Sequence, residues 1–199
     1  MKKNSIIDKP PFYLPVFEET YRYIIDYYIP PHRDIAIFIP CAISKPYSQS
    51  PSHKLFHSIF NDVFINNPLQ YHVVIFGTCG TVPAELELMY PYAHYHYMLG
   101  KVNDKRIKND FLKIETRRII GYLEKTRYCY KKRVAYCIGM FREALERAIA
   151  ETQIDFKIYP TQQTIKKLYN SDCQFHEGSL SMQEYLSEFK EGLIKMRDT

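Results

Sequence analysis

The chain lacks several features that would place it in a special class of protein. No apolar run among its 199 residues approaches the roughly 20 residues that a membrane-spanning helix needs. Its first residues, MKKNSIIDKPPFYLP, contain two lysines but no uninterrupted apolar segment after them, which argues against a secretory signal. There is no internal repeat, low-complexity stretch or long linker. We therefore expect a cytoplasmic location and no contact with a membrane.

The sequence also lacks a CxxC pair, and its five cysteines are odd in number. Both facts argue against a disulfide framework and against a zinc site. The cysteines are better interpreted as reduced thiols, most of them in the core: Cys41, Cys79, Cys129, Cys137 and Cys173. Two histidines one residue apart, His94 and His96, have no third ligand at a telling distance, so we predict no metal.

The charge of the chain is mild. A net charge of +5 permits a nucleic-acid partner without requiring one. The basic run RYCYKKR (127–133) either contacts phosphates or is the solvated approach to a strand. A hydrophobic content of 46% with 25% charged residues is typical of a globular protein.

Four short apolar runs predict buried strands. They cover residues 34–40, 71–77, 133–139 and 156–161, and each is continuous, as in a sheet covered on both faces. Helical patterns accompany them at 17–29, 52–64, 109–126, 141–152 and 162–170. This alternation predicts an α/β fold with three layers, α/β/α, around a parallel sheet of about four strands.

The predicted domain covers residues 1–175, with a helical lead-in at 1–30. A last amphipathic helix, 181–197, lies in the remaining segment 176–199. It either packs on the domain or offers a surface to a partner.

The carboxyl ends of parallel strands meet at one edge of a sheet, where ligands usually bind. The segments expected there are 40–53, 77–87, 139–143 and 160–164. The first two, PCAISKPYSQSPSH and GTCGTVPAELE, are the richest in polar residues. We therefore expect these two stretches to meet and to form a site.

The first polar stretch admits two interpretations. Cys41 follows the first strand, and either Ser50 or Ser52 is a natural N-cap for the next helix. A helix N-terminus and Lys45 would both lower the pKa of the thiol, and His53 can serve as an acid or a base. Alternatively, Cys41 is a small buried residue, the serine only caps the helix and His53 lies on the surface, which spacing alone favours.

The second polar stretch is equally open. Gly77 and Thr78 begin a turn that either aims backbone N–H groups at an anion or is simply tight. Pro83 with acidic residues after it is typical of a helix start. Further on, His94 and Tyr95 lie among tyrosines that either stack on a base or belong to the edge of the core.

Residues 40–53 read P-C-x3-K-P-Y-x2-S-x2-H, which resembles the signature of the archaeosine synthase family, archaeal tRNA-modifying relatives of tRNA-guanine transglycosylase. The segment VPAELELMYPYAHY (82–95) is similar to the second segment of that family, although Ala84 replaces its arginine. That replacement removes an expected phosphate or carboxylate contact. Weaker similarity continues through YLEKTRYCYKKRVAYC and YPTQQTIKKLYN, so the resemblance covers roughly residues 30–170.

The resemblance implies a fold similar to uracil-DNA glycosylases and an archaeal source. It implies that free lysine is added, as co-substrate, to the nitrile of 7-cyano-7-deazaguanine in tRNA. The reaction would use no cofactor. A radical-SAM lyase partner then cleaves the adduct to archaeosine. The full family enzyme also carries transglycosylase-like and RNA-binding PUA domains, for which the chain has no room. We therefore expect either a catalytic subunit that works with separate RNA-binding chains or a divergent paralogue.

If the chain carries out this chemistry, five residues are candidates for roles in it. Cys41 either attacks the nitrile carbon as a thiolate or only shapes the pocket for direct attack by the lysine amine. His53 or Lys45 would protonate the imide nitrogen, and Glu85 or Glu87 would orient the amine or the base. The expected substrate-binding residues are Tyr47, Ser50, Gly77, Thr78, Glu87, His94 and Tyr95.

Two other functions compete with this one. The first is a non-catalytic subunit of the same fold that binds tRNA or another nucleic acid, or that acts as a scaffold. The second is a glycosylase-like enzyme that acts on a base, for which the expected acid and histidine motifs are absent from the sequence.

Overall fold

A five-stranded sheet organises the chain, which this computed structural model describes over residues 9–168 and 179–198. Six α-helices and five strands follow one another along these residues. They are α1 (Pro15–Asp26), β1 (Arg33–Pro40), α2 (Pro51–Val63), β2 (Tyr71–Gly77), β3 (Gly80–Pro83), α3 (Lys105–Lys125), β4 (Tyr130–Tyr136), α4 (Gly139–Thr152), β5 (Lys157–Tyr159), α5 (Gln162–Leu168) and α6 (Gln183–Arg197).

The strand order is β3-β2-β1-β4-β5, so β1 lies at the centre of the sheet. β2 and β4 both run parallel to β1, and β5 runs parallel to β4. The predicted α/β fold with a mostly parallel sheet is confirmed. The added strand, β3, pairs antiparallel with β2 directly after a tight turn. The sequence analysis missed it because Pro83 ends this short strand and resembles the start of a helix.

Helices cover both faces of the sheet. On one face, the ring of Phe38 in β1 lies 6.2 Å from that of Tyr122 in α3. On the other face, Tyr136 in β4 stacks on Phe189 in α6 at 4.5 Å. Each fully buried phenylalanine contributes roughly 2–3 kcal/mol to the stability of this three-layer arrangement.

Most elements differ from their predicted bounds by one to four residues, and for two of them the cause is visible. β4 spans Tyr130–Tyr136 rather than 133–139, because two lysines at its start hid the beginning of the strand. α3 begins at Lys105, one turn before the predicted residue 109. Its early start follows from Asp104, whose carboxylate caps the first turn by accepting two backbone N–H bonds.

The last helix packs on the domain through a fully buried Phe189. Some predictions fall outside the described residues: the lead-in up to residue 8, the end of the helix predicted at 162–170, Cys173, and both ends of the segment 176–199. No helix among the described residues is both long and apolar enough to cross a membrane.

Candidate active site

A two-lobed cleft lies at the carboxyl edge of the sheet, with lobes of about 420 and 460 Å³. Each lobe has the size of an ordinary small-molecule site. Six residues line both lobes, namely Cys41, Leu99, Gly100, Phe141, Ser179 and Leu180. Because Cys41 lines both lobes, it lies where they join. It is the only one of these six residues with a nucleophilic sulfur.

The two polar stretches predicted to meet do come together at Cys41. Its backbone N–H donates to the carbonyl oxygen of Phe76 at 2.8 Å, which ties the end of β1 to β2. Its Sγ lies 3.4 Å from Thr78 Oγ1. Gly77, at φ +134°, lies so close that a Cβ added there would stand 2.9 Å from the same sulfur. Only glycine accommodates both this dihedral angle and this close approach.

The surroundings of Cys41 favour its thiolate. The nearby Cys79 side chain, whose thiol bonds to the Gly80 carbonyl oxygen at 3.4 Å, has the largest lowering effect on the Cys41 pKa, and Thr78 and the charge of Lys45 add to it. Together they outweigh burial and hold this pKa well below its usual value. Burial raises the pKa of Cys79, which is 1% exposed, so Cys79 keeps its proton. The pair therefore contains one reactive sulfur and one hydrogen-bond donor.

The N-terminus of α2 forms one wall of the first lobe. Of the two predicted caps, Ser50 and Ser52, it is Ser50 that caps the helix, because its hydroxyl accepts the backbone N–H of His53 at 3.2 Å. Ser50 and Ser52 both line the lobe. A helix N-terminus stabilises negative charge nearby, so this wall suits a substrate atom on which negative charge develops.

His53 is placed differently from both expectations. It is 1% exposed, so the interpretation as a surface residue is wrong. Burial lowers its pKa to about 4, against the opposing effect of a bond to Pro40. Nε2 lies 2.8 Å from the Pro40 carbonyl oxygen and must carry the proton, since that oxygen only accepts. His53 does not line either lobe, and it braces α2 against the end of β1.

Lys45 is held behind the cleft by two predicted binding residues, Tyr47 and Tyr95. Its Nζ lies 3.8 Å from the centre of the Tyr95 ring and 4.9 Å from that of Tyr47. Nζ also donates to the Ala42 carbonyl oxygen at 2.5 Å, and burial lowers the Lys45 pKa. The two tyrosine hydroxyls bond to each other at 2.9 Å. This cluster supports the loop after β1 rather than the surface of the cleft.

Glu87 supports the same loop from the other side. Its carboxylate accepts the backbone N–H and the hydroxyl of Ser48 at 2.9 and 2.5 Å. These bonds fix the short 3₁₀ turn Tyr47–Gln49 ahead of α2. Glu87 does not line either lobe of the cleft.

Glu85 lies at the opposite edge of the sheet. Burial raises its pKa, but bonds from His72 Nε2, at 3.0 Å, and from the Tyr28 hydroxyl outweigh it and lower the pKa to about 2. His72 pairs with Ala36, so about 16 Å of strand separates that level from Cys41. The structure therefore does not bring Glu85 to the cleft. The cause is β3, which runs antiparallel and carries the chain back to the amino edge.

The histidine pair also lies away from the cleft. The His94 ring contacts that of Tyr90 at 5.5 Å, and His96 is exposed. Within residues 9–168 and 179–198, no three His, Cys, Asp or Glu side chains group as metal ligands. The residues that directly follow His96, from Tyr97 to Gly100, do line the cleft.

Two buried ionisable side chains behind the cleft, Glu115 and Arg118, were not predicted from the sequence. Glu115 Oε1 accepts the Gly77 backbone N–H at 3.0 Å, and burial raises the Glu115 pKa to about 8 against the opposing charge of Arg118. Arg118 is also fully buried and reaches Glu18 at 3.2 Å. The sequence does contain a signal that points to Glu115: its carboxylate comes four residues after Phe111, on the apolar face of a helix. Glu115 thus anchors the turn that presents Thr78 to the thiol.

The sequence matches one domain family. Residues 18–170 match the family described as Domain of unknown function (DUF5591). Among curated proteins, the chain is 35% identical to archaeosine synthase subunit alpha of Methanosarcina acetivorans over 67% of its own length and 20% of that protein. It is 29% identical to the protein of the same name from Thermoplasma acidophilum, over 62% of this chain and 24% of that protein.

The chain is also similar to a third curated protein and to a protein of known structure. The archaeosine synthase of Haloferax volcanii is 40% identical over 30% of this chain and 9% of its own length. The crystal structure of AF0587, a protein of unknown function, superposes with a TM-score of 0.56 at 17% identity, covering 87% of this chain and 48% of that one. The resemblance to archaeosine synthases is confirmed, and the chain spans a quarter or less of the curated relatives it matches.

Proposed function

The chain belongs to the DUF5591 family, and from this premise we propose that it adds lysine to the nitrile of 7-cyano-7-deazaguanine in tRNA, a step of archaeosine biosynthesis. The names of its curated relatives support a role in that pathway. The observation that carries the proposal is the thiol of Cys41, which lies where the two lobes of the cleft join. One lobe would accept the base and the other the lysine.

In the proposed reaction, the Cys41 thiolate adds to the nitrile carbon. A carbon–sulfur bond forms, one carbon–nitrogen π bond breaks, and the nitrogen takes a proton to give a thioimidate. The free lysine amine then adds to the same carbon and gives up one proton. The carbon–sulfur bond breaks, the thiolate returns, and an amidine remains. The overall reaction is an addition of the amine across the nitrile, so it requires no oxidant or reductant.

The neighbours of Cys41 support this reaction in different ways. The Thr78 hydroxyl, 3.4 Å from the sulfur, and the N-terminus of α2 both line the first lobe, where they would stabilise the charge that develops on nitrogen. Lys45 acts through its charge, which favours the thiolate. We assign His53 to positioning, because its proton is committed to Pro40.

The proposal also includes partner proteins. Two relatives are named as an alpha subunit, which implies that those proteins work within larger assemblies. We propose that this chain works with separate RNA-binding subunits and that a radical-SAM lyase uses its product.

The test incubates the protein with lysine and nitrile-bearing tRNA, alone and with candidate partner chains. Mass spectrometry of the digested nucleosides then looks for a lysine adduct. Cys41→Ala should lower its rate of formation at least about a hundredfold, because the nucleophile is lost, whereas Cys129→Ala should not. Full activity of Cys41→Ala would instead establish direct attack by the amine. If no combination forms the adduct while tRNA still binds, the chain is a non-catalytic subunit.

A further inference from the structure

We propose that a basic rim beside the cleft, defined as Lys101, Lys105, Arg106 and Lys108, binds the phosphate backbone of RNA. This inference rests on the proposed function in one respect, that the substrate base belongs to an RNA. It concerns a surface outside the cleft and a set of residues to which the reaction assigns no role.

The rim directly adjoins the cleft. Gly100 lines both lobes, and Lys101 is the last residue of the 3₁₀ turn Leu99–Lys101, to which Gly100 belongs. Lys105 is the first residue of α3, whose Phe111 ring lies 5.6 Å from that of Phe141. Because Phe141 also lines both lobes, the first turns of α3 must lie at the border of the cleft.

Helix geometry aims two of these cations towards the cleft. Lys108 precedes Phe111 by three residues and Leu112 by four, so it lies on the face of α3 that packs on the core. Lys105 lies one turn earlier on the same face. Since α3 begins six residues before Phe111, its first buried residue, the two lysines lie beyond the core, above the carboxyl edge of the sheet. The positive end of the 21-residue helix adds to their charge.

The charges of the rim are not neutralised by the protein. None of the four forms an ion pair with a carboxylate of the described residues. Lys101, Lys105 and Arg106 are exposed. Asp104 is the single acid among them, and it is engaged as the helix cap, accepting the Arg106 N–H at 2.7 Å. A surface of this kind attracts a polyanion.

The basic run 127–133, which was the earlier candidate for phosphate contact, differs on each of these points. Arg127 pairs with Glu124 at 2.6 Å, and Lys131 pairs with Asp34 at 2.7 Å. Arg133 is buried. The run follows the other end of α3, about 30 Å from the rim, since the helix rises about 1.5 Å per residue. It is therefore neither free nor near the cleft.

The cleft favours RNA over an acidic protein as the occupant. A nucleic acid combines evenly spaced phosphates with flat bases, and the rings of Tyr97 and Phe141 line the lobe next to the rim. Aromatic side chains beside a positively charged groove are the usual arrangement for an unstacked base and its backbone. The rim would then hold the strand while the target base enters the cleft.

The test compares two triple variants in binding to an unmodified tRNA transcript over a range of salt concentrations. The first carries Lys101→Ala, Lys105→Ala and Arg106→Ala. The second removes three exposed or partly exposed cations from the amino edge through Arg127→Ala, Lys131→Ala and Lys157→Ala.

The rim variant should bind about tenfold or more weakly at low salt, and its plot of log K against log salt should lose roughly 2–3 units of slope. The control should stay within about twofold of the unmodified protein. Thermal unfolding of both variants confirms that they are folded.

Equal binding by both variants would overturn the proposal, and so would a complete lack of tRNA binding by the unmodified protein. Failure of the rim is distinguishable from failure of the proposed function. If the lysine adduct forms but the rim variant binds normally, only the rim is wrong. If no adduct forms while the rim variant alone loses tRNA binding, the rim stands without the reaction.

Discussion

Replacing Gly77 with alanine tests the tight junction between β2 and the Cys41 thiol. The added Cβ would stand 2.7 Å from Cε1 of Phe141 and 2.9 Å from the Cys41 sulfur. Both distances are shorter than carbon makes with either atom in a relaxed structure. The φ of +134° also lies in a region that residues with a side chain rarely adopt.

The magnitude follows from these two effects. Backbone strain of this kind costs about 1–3 kcal/mol, and overpacking adds about 1–3 kcal/mol. Their sum of about 2–6 kcal/mol is a large part of the roughly 5–15 kcal/mol that stabilises a typical domain. For a chain of this size, the melting temperature should fall by at least about 4 °C.

The assay is thermal unfolding combined with the rate of alkylation of Cys41. The rate should change because Phe141 and the sulfur must both move away from the new methyl group. Gly100→Ala is the matched control, since Gly100 also lines the cleft but its added Cβ meets no heavy atom within 4 Å. A Gly77→Ala protein that melts together with the Gly100→Ala protein and is alkylated at the unchanged rate would refute this reasoning.

Two further predictions concern titration near the cleft. Alkylation of Cys41 by iodoacetamide should reach its plateau below pH 8, because the nearby Cys79 and Thr78 side chains and the charge of Lys45 lower the Cys41 pKa. In a Cys41→Ala protein, Cys129 should still react faster with each increase of pH up to about 9, because burial raises its pKa above the usual value of about 8.5. Similar curves for the two proteins would contradict the assignment. Glu115→Gln should make the stability of the fold less dependent on pH. Burial raises the Glu115 pKa to about 8 in the folded protein, from about 4.3 in the unfolded chain. The stability that the Glu115 proton provides is therefore full below about pH 4.3 and is lost as the pH rises through 8. Glutamine retains an acceptor for the Gly77 N–H. In urea unfolding, the difference in stability between variant and parent should change by about 3 kcal/mol from pH 6 to 9, in favour of the variant. A constant difference would speak against a titrating Glu115.

Local patterns predicted the framework of the molecule. Continuous apolar runs indicated the central strands, and β2 has the bounds 71–77 that were predicted. The cap at Ser50 followed from residue type and position, because a hydroxyl before a helix bonds to the first free N–H groups. The placement of Cys41 at the carboxyl edge followed from the parallel arrangement of the strands. All of these depend on neighbours within a few residues or on a general rule of topology.

Contacts between distant segments decided what the local patterns left open. β3 folded back and carried Glu85 to the far edge, although its sequence was interpreted as the start of a helix. Burial and one carbonyl oxygen committed the proton of His53. Glu115 reached Gly77 across 38 positions of sequence.

The sequence by itself therefore determined the α/β framework, the family and the position of the thiol, because periodicity, capping and the signature PCAISKPYSQSPSH are local properties of the chain. Only the tertiary structure decided which charges and hydroxyls surround that thiol and which acids never reach it. The physical reason is that the hydrogen bonds and burial that set a pKa depend on neighbours brought together by packing, which no local pattern specifies.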